Sequence, residues 1–386
     1  MLIGSAIVLM CPADTESVLA ENREPQEFPA FSVSSVWSGS YMSQIDDYVN
    51  DNIGFRSKIM TLSDKIQSCF GFLPDGMGKI ISTTKDIGTG ESQDSHLVLY
   101  DGRIMEMFSS NPEVEEQYAE ALNTVREALP ERVRMYSMLI PTQLEFCEPL
   151  YAGVEDSQRE AVDTVYGRLN NITAVDAYSK LYDASKGGAD YLYFNTDHHW
   201  TMDGSYLGYA AFAQAAGKTP AAKESYQMKE LGSFCGSLYL KAKSQLPWNT
   251  YDNMFYYDTV ANGSFSMLMR AEDGVTEYGT QTPVFDTNNC NYNLFFGGDQ
   301  PLMEITNNDR PDGETLVIIK DSYANALIPW LINDYYRVVV IDPRSFGGNL
   351  LNEVERYDAD EVAVFNYVLT TTFSDYCGMI TDLLTN

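Results

Sequence analysis

Histidine is scarce in this chain: its 386 residues hold three, at positions 96, 198 and 199. That leaves too few imidazoles for a metal centre built on several histidines. The six cysteines (11, 69, 147, 235, 290 and 377) are widely scattered, with no C-x-x-C pair and no Cys/His cluster. A structural zinc site is therefore not expected, and most of the thiols read as isolated buried groups. Positive charge is also in short supply, with 25 Lys and Arg against 55 Asp and Glu and a net charge of −30. A surface that negative repels phosphate backbones, which excludes nucleic acid as a partner and disfavours polyanions along the general surface. A neutral glycan would be tolerated. Long apolar runs are missing too. Leu2–Cys11 (LIGSAIVLMC) is well short of the roughly 20 residues that cross a bilayer. No repeat and no low-complexity block interrupts the chain.

What the chain does have is core material: hydrophobic residues make up 44%, with 26 Tyr and 18 Phe. That excludes a disordered polymer. The Leu2–Cys11 run resembles the end of a signal-peptide apolar core without its basic beginning. An exported protein is expected, extracellular or in the cell envelope, either cleaved here or held peripherally at a membrane by its N-terminus. Met10 is a poor small-residue cleavage position, which speaks against lipidation at Cys11.

Residues 1–25 are thus expected to be a signal or anchor remnant, and 26–95 a proline-punctuated lead-in followed by a helical segment within 48–68. From 96 to 220 the pattern alternates. Pro112 suits a first helical position, with Val114, Tyr118, Leu122, Val125 and Leu129 at helical spacing behind it. Val133–Ile140 reads as a strand, 156–169 as a helix, 172–175 as a short strand and Tyr206–Ala216 as a helix closed by Gly217. Residues 221–309 shift to short Tyr-, Phe- and Asn-rich runs such as NMFYYDTV and YNLFFGG, the mark of a β-rich insertion. Alternation resumes over 310–386, with strands at Thr315–Ile319, Arg337–Ile341 and Glu361–Phe365 and helices at Ala324–Leu331 and Leu351–Tyr357. Strand–helix alternation predicts an α/β fold with a mostly parallel sheet covered on both faces, and a site at the strands' carboxyl ends.

Two segments could carry chemistry. In Asn195-Thr196-Asp197-His198-His199-Trp200-Thr201, an extended backbone would project Asp197 and His199 to the same side and His198 to the other. A carboxylate beside an imidazole fixes its tautomer and stabilises the imidazolium it becomes. Two structural histidines bonded to backbone near a helix start would look the same. In Leu316–Asn325 an apolar strand runs into Lys320-Asp321-Ser322 and a helix begins at once. Ser322 would then stand at a strand-to-helix corner beside backbone N–H groups able to hold an oxyanion, or it is an ordinary N-cap. A serine hydroxyl needs a base to become a nucleophile, and the Asp/His pair would supply one.

These residues resemble the DHHW protein family, which is related to the alginate O-acetylation proteins of the SGNH hydrolase-like superfamily. Asp197-His198-His199-Trp200 spells the family motif. The further matches are Glu21-Asn22-Arg23 with Phe28-Pro29, Asp51–Arg56 (DNIGFR), Ile140-Pro141-Thr142, Lys320–Asn325, Ile341-Asp342-Pro343-Arg344 and Phe365-Asn366. The resemblance implies an SGNH-like three-layer sandwich with the motif order permuted, plus the β-rich insertion. It implies a triad of Ser322 as nucleophile, His199 as base and Asp197 as orienter. Gly347 or Gly348 and Asn366 would complete an oxyanion hole with the serine N–H, and His198, Trp200, Tyr323 and Arg344 would lie near substrate. Arg344 could equally brace its strand end. Lys320 departs from the glycine usual before Asp-Ser.

The function expected is serine-dependent O-acetyl transfer to an extracellular or cell-wall polysaccharide, with a membrane-bound O-acyltransferase as a partner implied by the resemblance. No metal or cofactor enters. The alternatives are a carbohydrate acetylesterase and a non-catalytic glycan-binding or scaffold protein. A DHH-type metal phosphoesterase is disfavoured because its additional carboxylate motifs are missing.

Overall fold

The computed structural model describes residues 28–31, 41, 44–45, 48, 79–86, 92–147, 155–188, 191–242, 251–273, 276–278 and 284–385. The expected signal or anchor segment, the helix within 48–68 and the motif stretches at 21–23 and 51–56 lie outside these residues. Two units separate, one of residues 1–77 with 237–250, the other of 78–236 with 251–386. In the first, Phe28 meets Tyr48 and Phe31 meets Tyr41 edge-on. The second carries the fold.

Its strands run in chain order as β1 (Lys79–Asp86), β2 (Ser92–Tyr100), β3 (Arg103–Glu106), β4 (Arg134–Ile140), β5 (Thr173–Ala174), β6 (Met228–Phe234) and β7 (Asp252–Tyr257). They continue as β8 (Phe265–Arg270), β9 (Glu277–Tyr278), β10 (Leu302–Asn307), β11 (Thr315–Lys320), β12 (Arg337–Ile341) and β13 (Glu361–Tyr367). The helices are α1 (Pro112–Ala128), α2 (Gln158–Tyr166), α3 (Ala177–Lys186), α4 (Met202–Ala215), α5 (Ser237–Ala242, which belongs to the first unit), α6 (Ile328–Leu331), α7 (Leu350–Arg356) and α8 (Ser374–Asp382).

An eight-stranded sheet organises the unit, in the order β5-β4-β13-β11-β12-β10-β8-β9. The first five strands are parallel. The last three are antiparallel and come from the Tyr-rich segment, so much of the β-rich insertion extends the sheet. The remaining pair, β6 and β7, forms a two-stranded ribbon. A separate antiparallel sheet, β1-β2-β3, closes with a two-residue turn in which Asp101 and Gly102 have φ of 50° and 75°. Two left-handed residues match the twist of the strands they join.

Neighbouring residues of β13 show why the sheet is covered on both sides. Phe365 packs edge-on against Phe212 of α4, which also meets Tyr136 of β4. Asn366 points the other way and accepts a hydrogen bond from Tyr118 of α1 at 2.8 Å. Successive side chains of a strand face opposite sides, so α4 and α1 lie on opposite faces. Central strands with helices on both faces must be apolar throughout, and β11 and β13 are buried along their whole length. Most boundaries follow the periodicity. The exception is the helix expected over Ala324–Leu331, which is instead a 3₁₀ turn, Ser322–Ala326, followed by the short α6. Pro329 has no N–H to continue a helical ladder from the turn before it. The parallel strands all present their carboxyl ends on one side, where Ile140, Lys320, Ile341 and Tyr367 terminate.

Candidate active site

Residues 191–201 form a tight loop on that side. Tyr193 and Trp200 bridge as antiparallel partners, Phe194 N–H donates to His199 O at 3.1 Å, and Thr201 N–H to Leu192 O at 2.9 Å. Thr201 then caps α4, accepting from Gly204 N–H at 3.3 Å. The loop brings the Asp197 Oδ1 to 2.6 Å from His199 Nδ1, and the same oxygen accepts the His199 N–H at 3.1 Å. His199 Nε2 lies 2.8 Å from Ser322 Oγ. The carboxylate, imidazole and hydroxyl therefore stand in line across 123 residues of sequence. Asp197 and His199 are buried and Ser322 is half-buried, so the hydroxyl end of the line is the one nearest solvent.

The imidazole's orientation is set on a second side by a residue that sequence reasoning missed. Tyr292, from the Tyr-rich segment, stacks on His199 with ring centroids 3.6 Å apart and planes 4° from parallel. Its hydroxyl donates to Tyr323 O at 3.0 Å, and Trp200 Nε1 donates to the same oxygen at 2.8 Å. Tyr323 in turn donates to His198 O. These bonds tie the Asp197–Trp200 loop to the residue after Ser322. Trp200 and Tyr323, expected near substrate, are both fully buried. His198 is half-buried, its ring 3.8 Å from that of His199.

Ser322 is not the cap of its turn. Asp321 is, its Oδ1 accepting Tyr323 N–H at 2.9 Å while Oδ2 accepts Tyr367 N–H at 2.8 Å and the Asn366 amide at 3.2 Å. This leaves the serine hydroxyl free to face His199. Burial pushes the Asp321 carboxyl up to about 6, although Arg344's charge and the three N–H donors pull it down. Asn366, expected at an oxyanion hole, lies within this network: its amide also donates to Tyr376 at 2.6 Å and its carbonyl accepts from Tyr118. Both amide hydrogens are engaged. The Gly347 N–H is engaged as well, donating to Glu272 O at 2.7 Å, and Gly348 sits against the Phe346 ring. The Ser322 N–H, at the first position of its turn, has no partner among the described residues.

Lys320 explains its own departure from glycine. It is fully buried and donates to Asp299 at 2.5 Å and Asp342 at 3.2 Å. Arg344 grips the same two carboxylates at 2.8 and 2.5 Å, bracing the end of β12 rather than reaching outward. Burial would raise the Asp299 carboxyl, but Lys320 and Arg344 hold it well below the ordinary range. Asn325 completes the cluster with a 2.8 Å bond to Asp299. Two cations and two anions locked together stiffen the strand ends on either side of Ser322.

Asp197, His198 and His199 offer ligand atoms all within 4.8 Å of one another, so they form a group that could hold a cation. Both ring nitrogens of His199 are already engaged, by Asp197 and by Ser322. A metal there would have to displace one of those contacts.

A mostly parallel sheet with helices on both faces, and a serine at the carboxyl end of a central strand, defines a three-layer α/β protein with its candidate site at the strand ends. Residues 73–341 match the model of the DHHW protein family, and the chain belongs to that family. A solved DHHW family protein from Eubacterium siraeum is similar at 22% identity and TM-score 0.66, covering 80% of this chain and 100% of that one. Bacillus cereus PatB1 is similar at 20% identity and TM-score 0.61, covering 73% of this chain and 99% of that one. The same protein with a sulfonyl adduct is similar at 18% and 0.58, covering 72% and 98%. No curated protein matches the chain.

Proposed function

We propose that the chain is an exported serine-dependent O-acetyltransferase that acylates an extracellular or cell-wall polysaccharide through acyl-Ser322. The observation that carries this reading is the line from Asp197 through His199 to Ser322, with contacts of 2.6 and 2.8 Å. In the first half-reaction His199 Nε2 takes the Ser322 proton as Oγ attacks the donor's acyl carbon, and the imidazolium returns that proton to the departing oxygen. In the second, His199 deprotonates a sugar hydroxyl, which attacks the acyl carbon and releases Ser322 Oγ, reprotonated by His199. Asp197 holds the Nδ1 proton throughout and offsets the imidazolium charge. The Ser322 N–H is the best-supported oxyanion donor, with Gly348 a second candidate. Asn366 and Gly347 have their hydrogens committed elsewhere, so Asn366 is assigned to holding Asp321.

A sulfonyl group captures activated hydroxyls, and a relative of this fold has been solved with such an adduct. Phenylmethanesulfonyl fluoride should add to Ser322 with loss of fluoride, seen as a mass increase in intact protein and mapped to the peptide containing residue 322. Acetyl release from p-nitrophenyl acetate should fall by roughly 10²–10⁴-fold in His199→Ala, the range a positioned acid–base group contributes, and at least as far in Ser322→Ala. His198→Ala should retain much of it. Acetylated oligosaccharide in the products decides for transfer, and free acetate alone decides for the carbohydrate acetylesterase. Undiminished acetyl release by Ser322→Ala would sink the mechanism. Supply of acetyl groups by a membrane-bound O-acyltransferase belongs to the same proposal and rests on the family resemblance.

A further inference from the structure

Asp252, at the start of β7, is fully buried and pairs with no cation among the described residues. A desolvated carboxylate without a counter-ion destabilises a fold unless donors surround it. Here there are four, and three of them belong to the turn that leads into Asp197. Oδ1 accepts Asn195 N–H at 2.7 Å and the Tyr191 hydroxyl at 2.7 Å. Oδ2 accepts Thr196 N–H at 2.7 Å and the Thr196 hydroxyl at 2.5 Å. The Thr196 hydroxyl then accepts Gly236 N–H at 2.9 Å, coming from just beyond β6. At Gly236 a Cβ would stand 2.3 Å from the Asp197 Cβ and 2.6 Å from Thr196 O, so only glycine lets that backbone close on the turn. On the far side Ile104 N–H of β3 donates to Asn195 O at 2.8 Å.

We infer that Asp252 and Thr196 are positioning residues, a hydrogen-bonded anchor by which the β6–β7 ribbon holds Asp197 in register with His199. The inference rests on the reading of Asp197 and His199 as the base pair of the site. The chain reverses sharply at Asp197, and its side-chain direction depends on where the peptide planes of Asn195 and Thr196 lie. Both planes are fixed through their N–H groups by one carboxylate, which itself touches neither His199 nor Ser322 in any recorded hydrogen bond. Charge-assisted bonds of this kind are the stronger sort. Replacing one oxygen by an NH₂ turns it from acceptor to donor, facing two donors, and the turn must shift. A displacement of about 1 Å at a reacting group costs roughly a hundredfold in rate.

The test compares wild type, Asp252→Asn, Thr196→Val and Ser322→Ala in the intact chain, by steady-state acetyl release and by proton NMR of the low-field His199 Nδ1–H resonance. Asp252→Asn and Thr196→Val should each lower kcat by roughly ten- to a hundredfold. KM should stay within about twofold, and the low-field resonance should be lost or shift upfield. Thr196→Val keeps the Asp252 charge and removes only the hydroxyl, so it separates anchoring from electrostatics and stands in if Asp252→Asn does not fold. A kcat deficit confined to Asp252→Asn, with Thr196→Val like wild type in rate and resonance, overturns the inference, as does an unchanged resonance in both. Should Ser322→Ala keep its activity, the acyl-serine reading fails. The resonance still decides the anchor, because it reads the Asp197–His199 geometry without turnover.

Discussion

At the scale of single residues, the site rests on a few side chains whose neighbours set their chemistry. Asp321 illustrates this: it shapes the Ser322 corner as an ionised acceptor of three N–H donors, yet burial lifts its carboxyl from 3.8 to about 6. The folded protein keeps the proton up to about pH 6, while an unfolded aspartate releases it near 3.8. Its share of stability, about 3 kcal/mol, is therefore present below pH 4 and lost as pH rises towards 6. Thermal unfolding of wild type and Asp321→Asn across pH 4–7 checks this, and wild type should lose ground relative to the variant over that window. Equal pH dependence in the two proteins would contradict it. Asp197, His199 and Ser322 were legible because they fall in the family motif and at a polar corner ending an apolar run; the extended backbone expected at the pair is instead a tight loop, which leaves His198 Nδ1 3.6 Å from Asp197 Oδ1 rather than on the opposite side. Tyr292, Asp252 and Asp299 were not, because their partners lie between 21 and 93 residues away and nothing in a Tyr- and Asn-rich stretch marks one residue over its neighbours.

At the scale of elements, α4 is tuned to the loop it follows. Gly208 lies inside the helix, where glycine costs about 0.5–1 kcal/mol relative to alanine. A Cβ there would stand 2.7 Å from the ring of Trp200, the residue after His199. Gly208→Ala should therefore destabilise by about 1–3 kcal/mol despite the gain in helix propensity, because the ring is fully buried and has nowhere to move. Urea unfolding measures it, and a variant as stable as wild type would show that the ring can yield. Periodicity recovered α1, β4, β11 and β13 to within a few residues because their apolar faces are long and regular. It mistook the segment after Ser322 for one helix. There the sheet, the Asp321 cap and Pro329 together outweigh the helical spacing of a few apolar residues.

At the scale of the whole molecule, the excess of 30 negative charges bears on which acceptor can approach. Repulsion between like charges is screened as the Debye length falls from about 10 Å at 0.1 M salt to about 3 Å at 1 M. KM for a uronic-acid polysaccharide should fall as salt is raised over that range, while KM for a neutral glucan should stay level. Salt-independent binding of both would show that a local basic path outweighs the overall charge. No helix among the described residues is long and apolar enough to cross a membrane.

By itself the sequence determined the α/β alternation and the family motif. Each is a local pattern, readable wherever side-chain spacing mirrors backbone geometry. Tertiary structure decided the rest. It showed that Asp321 rather than Ser322 caps the turn, that the Asn366 amide is committed to Asp321 and Tyr376, and that Arg344 braces its strand end against Asp299 and Asp342. It also showed that the Tyr-rich segment, expected as a β-rich insertion, supplies the ring stacked on His199 and the carboxylate that holds the Asn195 and Thr196 N–H groups before Asp197. The physical reason is the same in each case. Which donor meets which acceptor in a buried network depends on how distant strands come into register, and no local spacing encodes that.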